Sequence, residues 1–454
     1  MASSVTDILM NKTIYLIFFL FHISSVVHSQ DQRRQPWTLQ ECVEYALNRN
    51  IRVMRSQLDL EQSRNLLGQS RAALYPTLNA FGTHSYAFGR TIDPVENRFV
   101  EETIQTNQFS LNSEVLIFGG FQNQNQIRQS RVLAEANLAA LEQARNDVSI
   151  NVAGNYLQIL LNEELLENAR FQLNTSAEQL RRTKALLQAG AVAQAEFLEI
   201  RAQYATDELA VVNAENQVEL SKLRLMQMLT LPYDPQFEVA DPEVVEVDDL
   251  QLPATASQVY EDALVTQPIM RSISYRLRSA ELGETIARGG RLPTLGAFGN
   301  VNTYYTNRLD DFFSFTQQLD NHLGQNLGFR LNIPIFNNLR VRQDIQNAVI
   351  QRKNAEINNI ETENNLRQEV EQAFLDAKTA SKSYFSAQNQ VEALQESFRA
   401  TEQRFNVGAA NAVEYNISKN NLNRAESDLI RARYDYIFRV KVLNFYQGKV
   451  LSLD

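Results

Sequence analysis

Residues 366–405 read LRQEVEQAFLDAKTASKSYFSAQNQVEALQESFRATEQRF. Within them Leu366, Val370, Ala373, Ala377, Ala380, Tyr384, Ala387, Val391, Leu394, Phe398, Thr401 and Phe405 recur at alternating steps of four and three. That period is a heptad seam, which lays one apolar stripe along a helix and pairs it with another helix. The four alanines in it let the partner come close. The seam resumes after Gly408 as Leu422, Ala425, Leu429, Ala432, Tyr436 and Leu443. Gly408 therefore stands where a helix ends on a left-handed residue and the chain turns back. A helix from Asn338 to Phe405 would be roughly 100 Å long at 1.5 Å per residue. No globular domain needs that length.

The same register occurs earlier, at Val148, Val152, Ile159, Leu166, Ala169, Leu173, Leu180 and Leu187, followed by Gly190. Asn155, Asn162 and Ser176 interrupt it as polar register-setters. The chain is an internal duplication at an offset of about 218 residues. Residues 39–50 (LQECVEYALNRN) answer 256–267 (ASQVYEDALVTQ), and 71–81 (RAALYPTLNAF) answer 288–298 (RGGRLPTLGAF). Ile117-Phe118-Gly119-Gly120 answers Ile335-Phe336-Asn337-Asn338, and Gly190 answers Gly408. Repeats of this order fix the architecture before any single motif does. We expect a first repeat over 30–231, a proline-rich acidic linker over 232–254, a second repeat over 255–448 and a tail over 449–454.

Each repeat also carries strand patterns. Leu327, Phe329, Leu331, Ile333 and Ile335 alternate with Gly328, Arg330, Asn332 and Pro334. Phe109, Leu111, Val115 and Ile117 alternate with Ser110, Asn112, Glu114 and Leu116. Period two over about ten residues, apolar outside and polar inside, marks a membrane barrel strand. The expected strands are about 77–90, 105–118, 294–306 and 323–335, with Leu327, Phe329, Leu331, Ile333 and Ile335 facing lipid. The bland alternative is a small sheet packed on the helices.

Residues 1–29 read as a secretory signal: Lys12, an apolar run over 14–21, and Val27-His28-Ser29 before the cut. Met10 is an alternative start to Met1. No later segment is a transmembrane helix, so a membrane crossing must use strands. Two strands per repeat give four per chain, too few to close a barrel, since the smallest have about eight. Several chains must then share one barrel. Three would supply twelve strands, and a duct of useful width favours three over two.

The chain has 454 residues, 53 acidic against 43 basic, and one cysteine, Cys42. Net acidity argues against a nucleic-acid binder. One cysteine excludes a disulfide framework within the chain and a multi-cysteine metal site. Of four histidines, His22 and His28 lie in the signal, and His84 and His322 lie in or beside strands. We find no phosphate loop, nucleophile elbow or paired-carboxylate site, and expect no catalytic residue, cofactor or metal. Asp93, Asp310 and Asp311 fall between strands and read as solvated loop charge.

The doubled landmarks resemble the TolC family of outer membrane efflux proteins over about residues 38–448. They are the Ala-Leu-x-x-Asn/Gln opening, the Pro-Thr-Leu step into a strand, the Ile-Phe exit into a helix, and the Gly-Ala turn with an acid six residues after its glycine. The resemblance implies a homotrimer with a twelve-stranded outer-membrane barrel embedded in lipid and a long α-helical periplasmic tunnel. It implies an exit duct for efflux or type I secretion, docked on an inner-membrane transporter through a periplasmic adaptor. It places a gate at the tip, around Gly190 and Gly408, with Glu196 and Glu414 as the acids. Three copies of Glu414 would form a carboxylate ring, a cation-selecting device; the bland reading is a first-turn acid favoured by the helix dipole. The pattern departs at Ile417, where the family's best-known member has a second acid, at Ala410, where that member has an arginine, and at Phe405, which lacks the hydroxyl of the usual tyrosine. A softer or hydrophobic gate follows from these departures. The competing reading is a soluble periplasmic coiled-coil scaffold or adaptor.

Overall fold

A computed structural model describes residues 36–93, 95, 97–241, 252, 253 and 255–449. The signal-peptide reading of 1–29 lies outside the described residues, as do most of 242–254 and the last five positions. In the first repeat, helices α1 (Leu39–Arg49) and α2 (Ile51–Ala72) precede strand β1 (Thr77–Ala87). The short strands β2 (Thr91–Ile92) and β3 (Phe99–Val100) pair with each other, and β4 (Ile104–Gly119) leads into α3 (Gln122–Gln188) and α4 (Gln194–Met228). The second repeat has α5 (Ala256–Thr266), α6 (Pro268–Gly289), β5 (Thr294–Thr306), a single 3₁₀ turn, α7 (Phe315–Asn321), β6 (Gly324–Asn332), α8 (Arg340–Asn406) and α9 (Ala412–Tyr446). Corresponding helices match in length: 11 residues for α1 and α5, 22 for α2 and α6, 67 for α3 and α8, 35 for α4 and α9.

The two 67-residue helices are the long axes. Each packs against two shorter helices of its own repeat, one towards the strands and one towards the hairpin turn. Ser70 meets Ser130 at 2.8 Å, joining α2 to the strand-proximal part of α3. Asn162 Nδ2 donates to the Gln217 carbonyl at 3.2 Å, joining α4 to the distal part. The second repeat repeats this plan: Arg352 bonds Glu284 of α6, and Arg439 of α9 bonds Asp376 of α8. Burial follows the heptad. Leu366, Val370, Ala373, Ala377 and Ala380 are buried, and from Tyr384 to Phe405 the seam positions are half-buried. The main core joins both repeats, with Val148, Val152, Tyr156 and Ile159 of α3 packed with Tyr436, Ile437 and Val440 of α9.

The stretch read as a linker is partly a core element. Trp37 N–H donates to the Glu238 carbonyl at 2.9 Å, and Ala240 N–H to the Trp37 carbonyl at 2.8 Å. Phe237 and Val239 are buried beside Trp37. Proline spacing marked where helices stop, and two apolar residues between the prolines decided where the chain runs.

Each long helix starts from two successive left-handed residues, Gly120 and Phe121 (φ 62° and 61°) and Asn338 and Leu339 (φ 54° and 62°). This double kink turns a strand into a helix. At Gly120 a Cβ would lie 2.3 Å from the Gly289 carbonyl oxygen, where α6 ends. Gly120→Ala combines that clash with an unfavourable φ and should destabilise by at least about 2 kcal/mol. A thermal melt of the purified variant that matches the parent would show that α3 and α6 can separate here without cost.

Candidate functional site: strand face and hairpin tip

The four long strands form one antiparallel sheet in the order β1-β4-β5-β6. Its register sorts the side chains. Ala80 faces Leu111, Leu111 faces Val301, Ala297 faces Phe329 and Leu295 faces Leu331, all on one surface. The other surface carries Asn79, Asn112, Asn300 and Asn326, each directly opposite the next across all four strands. Arg330 lies there too, 3.9 Å from Glu114 and over the Phe298 ring. One face is thus apolar and the other amide-rich. Leu327, Phe329 and Leu331 are 83%, 73% and 62% exposed in the single chain.

Two sequence assignments are corrected here. Ile333 and Ile335 lie beyond β6, which ends at Asn332, so they are exposed but not strand residues. Pro334 lacks the N–H that would extend the ladder. In β4 a bulge shifts the register between Leu116 and Phe118, so Phe118 rather than Ile117 is paired with Leu295. Alternation counted along the sequence cannot see an inserted residue.

The loops beyond the strands are also more built than their composition suggests. Asp93 is 1% exposed and bonds Arg308 at 2.8 Å, tying the first loop to the second. Gln318 is fully buried and accepts from Thr306 N–H at 3.0 Å. Asp93 is therefore not solvated loop charge. His84 stands by Asn107, and His322 stacks on Tyr304. Among the described residues no group of acidic, histidine or cysteine side chains is arranged to hold a metal.

At the opposite end, both hairpins turn on glycine. Gly190 has φ 72° and Gly408 φ 76°. Ala191 N–H donates to Leu186 and Ala409 N–H to Arg404, the long-range bonds of a Schellman cap. The two turns lie together around a cavity of about 580 Å³ lined by Glu196, Phe405, Glu414, Arg182 and Asn411, among others. Glu414 N–H is capped by Asn411 Oδ1 at 2.9 Å, and its carboxylate lies 3.4 Å from Arg404. Phe405 stacks on Tyr415 at 4.8 Å. Burial pushes the Tyr415 hydroxyl up to about 12. Ile417 is exposed. Glu196, Glu414 and Phe405 thus share one cavity, with Ile417 on the adjoining turn of α9.

The contacts that hold the two hairpins to each other were not found by sequence reasoning. Arg182 Nη1 donates to Asn406 Oδ1 at 2.6 Å, linking turn to turn. Gln203 and Asn420 exchange amide bonds at 3.1 Å. Above them Lys419 Nζ lies 3.0 Å from Asp207 Oδ2, with both side chains under a tenth exposed. Asp207 also accepts from Ser176 at 2.6 Å and Gln203 at 2.8 Å, and Lys419 donates to the Gln172 carbonyl. So Ser176 of α3, Asp207 of α4 and Lys419 of α9 form one buried cluster across the repeats. Ser176 was visible as a seam interruption. Asp207 and Lys419 are 212 residues apart, and nothing local distinguishes them from surface charge.

The chain is thus a four-stranded sheet with one apolar face feeding helical hairpins about 100 Å long. A family model described as "Outer membrane efflux protein" matches residues 42–230 and 259–448. The chain belongs to the outer membrane efflux protein family. Each matched segment falls within one of the two stretches read as repeats. Outer membrane protein TolC of Escherichia coli (strain K12) is 23% identical over 415 residues, covering 89% of this chain and 80% of that protein. Proteases secretion protein PrtF of Dickeya chrysanthemi is 20% identical over 437 residues, 92% of this chain and 90% of that one. Among solved structures, CusC superposes with a TM-score of 0.78 at 17% identity, covering 94% of this chain and 96% of its own. The MtrE outer membrane channel of Neisseria gonorrhoeae gives 0.74 at 19%, covering 92% and 90%. The fold is the TolC-like one, the location is the outer membrane with a periplasmic tunnel, and the function is that of an efflux or secretion duct. The soluble-scaffold alternative is set aside by the family match.

Proposed function

We propose that three copies of this chain form one exit duct, with a shared twelve-stranded barrel in the outer membrane and a helical tunnel in the periplasm. An adaptor and an inner-membrane transporter would complete the export path at the hairpin tip. The observation that carries this reading is the sheet itself: one face is apolar, and among the described residues β1 and β6 each pair on one side only. In lipid each unpaired backbone group costs several kcal/mol, so the edges require strands from other copies. Conductance of the detergent-purified mature chain across a planar bilayer, with its mass measured in the same detergent, tests it. A trimer with small, mostly closed channels supports the reading; a protein that needs no detergent and opens no channel sinks it.

The tip cavity supports a gate built from Glu414, Glu196, Phe405 and Ile417, around the turns at Gly190 and Gly408. Glu414 has two roles to separate. Its backbone N–H is capped whatever its side chain, so Glu414→Ala removes charge and leaves the Asn411 cap. The variant should weaken block by multivalent cations in single-channel recordings. Unchanged block would return Glu414 to pairing with Arg404 alone.

A further inference from the structure

The duplication also specifies how one copy meets the next. We infer that β6 of one copy pairs antiparallel with β1 of its neighbour in a single register, Arg330 opposite Thr83, which repeats the β4–β5 seam inside the chain. This rests on the shared-barrel reading above.

The two repeats are related by Arg71 to Arg288 at the first strand and Ile117 to Ile335 at the second, offsets of 217 and 218 residues. These offsets can be checked within the chain. Applied to the observed β1–β4 pairs, they turn Asn79–Asn112 into Gly296–Arg330 and Leu78–Ser113 into Leu295–Leu331. Both are observed β5–β6 pairs. The hairpins of the two repeats therefore share one register. The seam between repeats, β4–β5, has its only counterpart in β6 against the next copy's β1. Its pairs Asn112–Asn300, Leu111–Val301 and Ser113–Gly299 become Arg330–Thr83, Phe329–His84 and Leu331–Gly82.

Three physical features agree with this register. Apolar faces stay together, since Leu331, Phe329 and Leu327 meet Gly82, His84 and Tyr86, which β1 carries on the same surface as Ala80. A slip of one residue would turn one strand's apolar set into the lumen. The walk Asn79, Asn112, Asn300, Asn326 then reaches Ala87 of the next copy, eight residues ahead of its start. An advance is what a closed barrel requires, because its strands are tilted and staggered. Closing the asparagine row directly on itself would leave the strands upright. Finally, residues 326–332 of β6 would all fall on residues 81–87 of β1, so most of the free edge is paired.

Disulfide trapping tests the register in the full chain with Cys42 replaced by Ala. Arg330→Cys is combined with Thr83→Cys, Phe81→Cys or Ser85→Cys, all on the lumen face of β1. Bridging within one chain is excluded, because the two strands are three strand spacings apart, about 14 Å. Directly opposed positions approach within disulfide range, whereas a two-residue offset adds about 7 Å along the strand. Oxidation of outer membranes should give covalent dimers and trimers roughly tenfold faster for the Thr83 pair than for either other. Faster trapping with Phe81 or Ser85 overturns the register while keeping the shared barrel. A trimer by mass that traps with none of the three overturns the β6–β1 seam. A chain that is monomeric in detergent overturns the shared barrel, and the register with it.

Discussion

Replacing Lys419 by Met should destabilise the chain by about 3–5 kcal/mol, the usual cost of removing one partner from a buried ion pair. The reason lies in what is left behind. Asp207 stays in its buried position with Ser176 and Gln203 as its remaining donors. Hydrogen bonds from two neutral groups do not replace an ammonium 3.0 Å away. The loss falls on the contact between the hairpins, because Lys419 is on α9 while Asp207 and Gln172 belong to α4 and α3. The cluster sits about 12 Å above the Gly408 turn, counting eight residues of helix from Asn411. A melt of the detergent-purified variant measures the effect. Asp207→Leu added to Lys419→Met should recover most of it, since apolar replacement of a whole buried pair is often neutral. A single variant that melts like the parent would mean that water reaches the pair.

The second large effect is expected at Leu331, where Arg should cost about 1–2 kcal/mol, because the residue is on the apolar surface one position from the end of β6 and the cost of a charge facing lipid falls from midplane to interface. Leu331 is 62% exposed in the single chain and stands opposite Leu295 on the apolar surface of the sheet. Its neighbours on that surface, Phe329 and Ala297, offer no charge or water-filled space to a guanidinium. The control is Asn326→Arg on the opposite surface, where Arg330 and Glu114 already sit. Trimer yield in outer membranes reads both. Loss with Leu331→Arg and near-parental yield with Asn326→Arg is the expected pattern. Equal yields would show that the apolar face does not meet lipid.

Neither effect could be assigned from sequence with equal ease, and the difference is physical. Leu331 belongs to a periodic pattern, and a period of two in a strand assigns a face without knowing any partner. Lys419 has a meaning only through Asp207, from which it is separated along the chain by the linker, helices α5 to α8 and strands β5 and β6. Glu414 and Phe405 were reached through their spacing from Gly408, which fixes position along the hairpin. Spacing did not reveal that Arg404 reaches Glu414 or that Tyr415 lies under Phe405, because those contacts depend on how α8 and α9 are rotated about each other. The bulge at 116–118 and the stop at Asn332 escaped for a related reason, since an unpaired residue is defined by the neighbouring strand.

By itself, then, the sequence determined what repeats and periods can encode: two copies of one plan, heptad helices turning at Gly190 and Gly408, strands with one apolar face, and too few of them to close a barrel. These are properties of residues a few positions apart, set by the 3.5 and 2-residue periods of the backbone. Tertiary structure alone decided which polar groups are buried and with whom. Ser176, Asp207 and Lys419 became one cluster, Asp93 became the anchor of Arg308, and a proline-flanked stretch became part of the core beside Trp37. Burial of a charge is unfavourable everywhere except beside its partner, and only the folded chain brings the partner there.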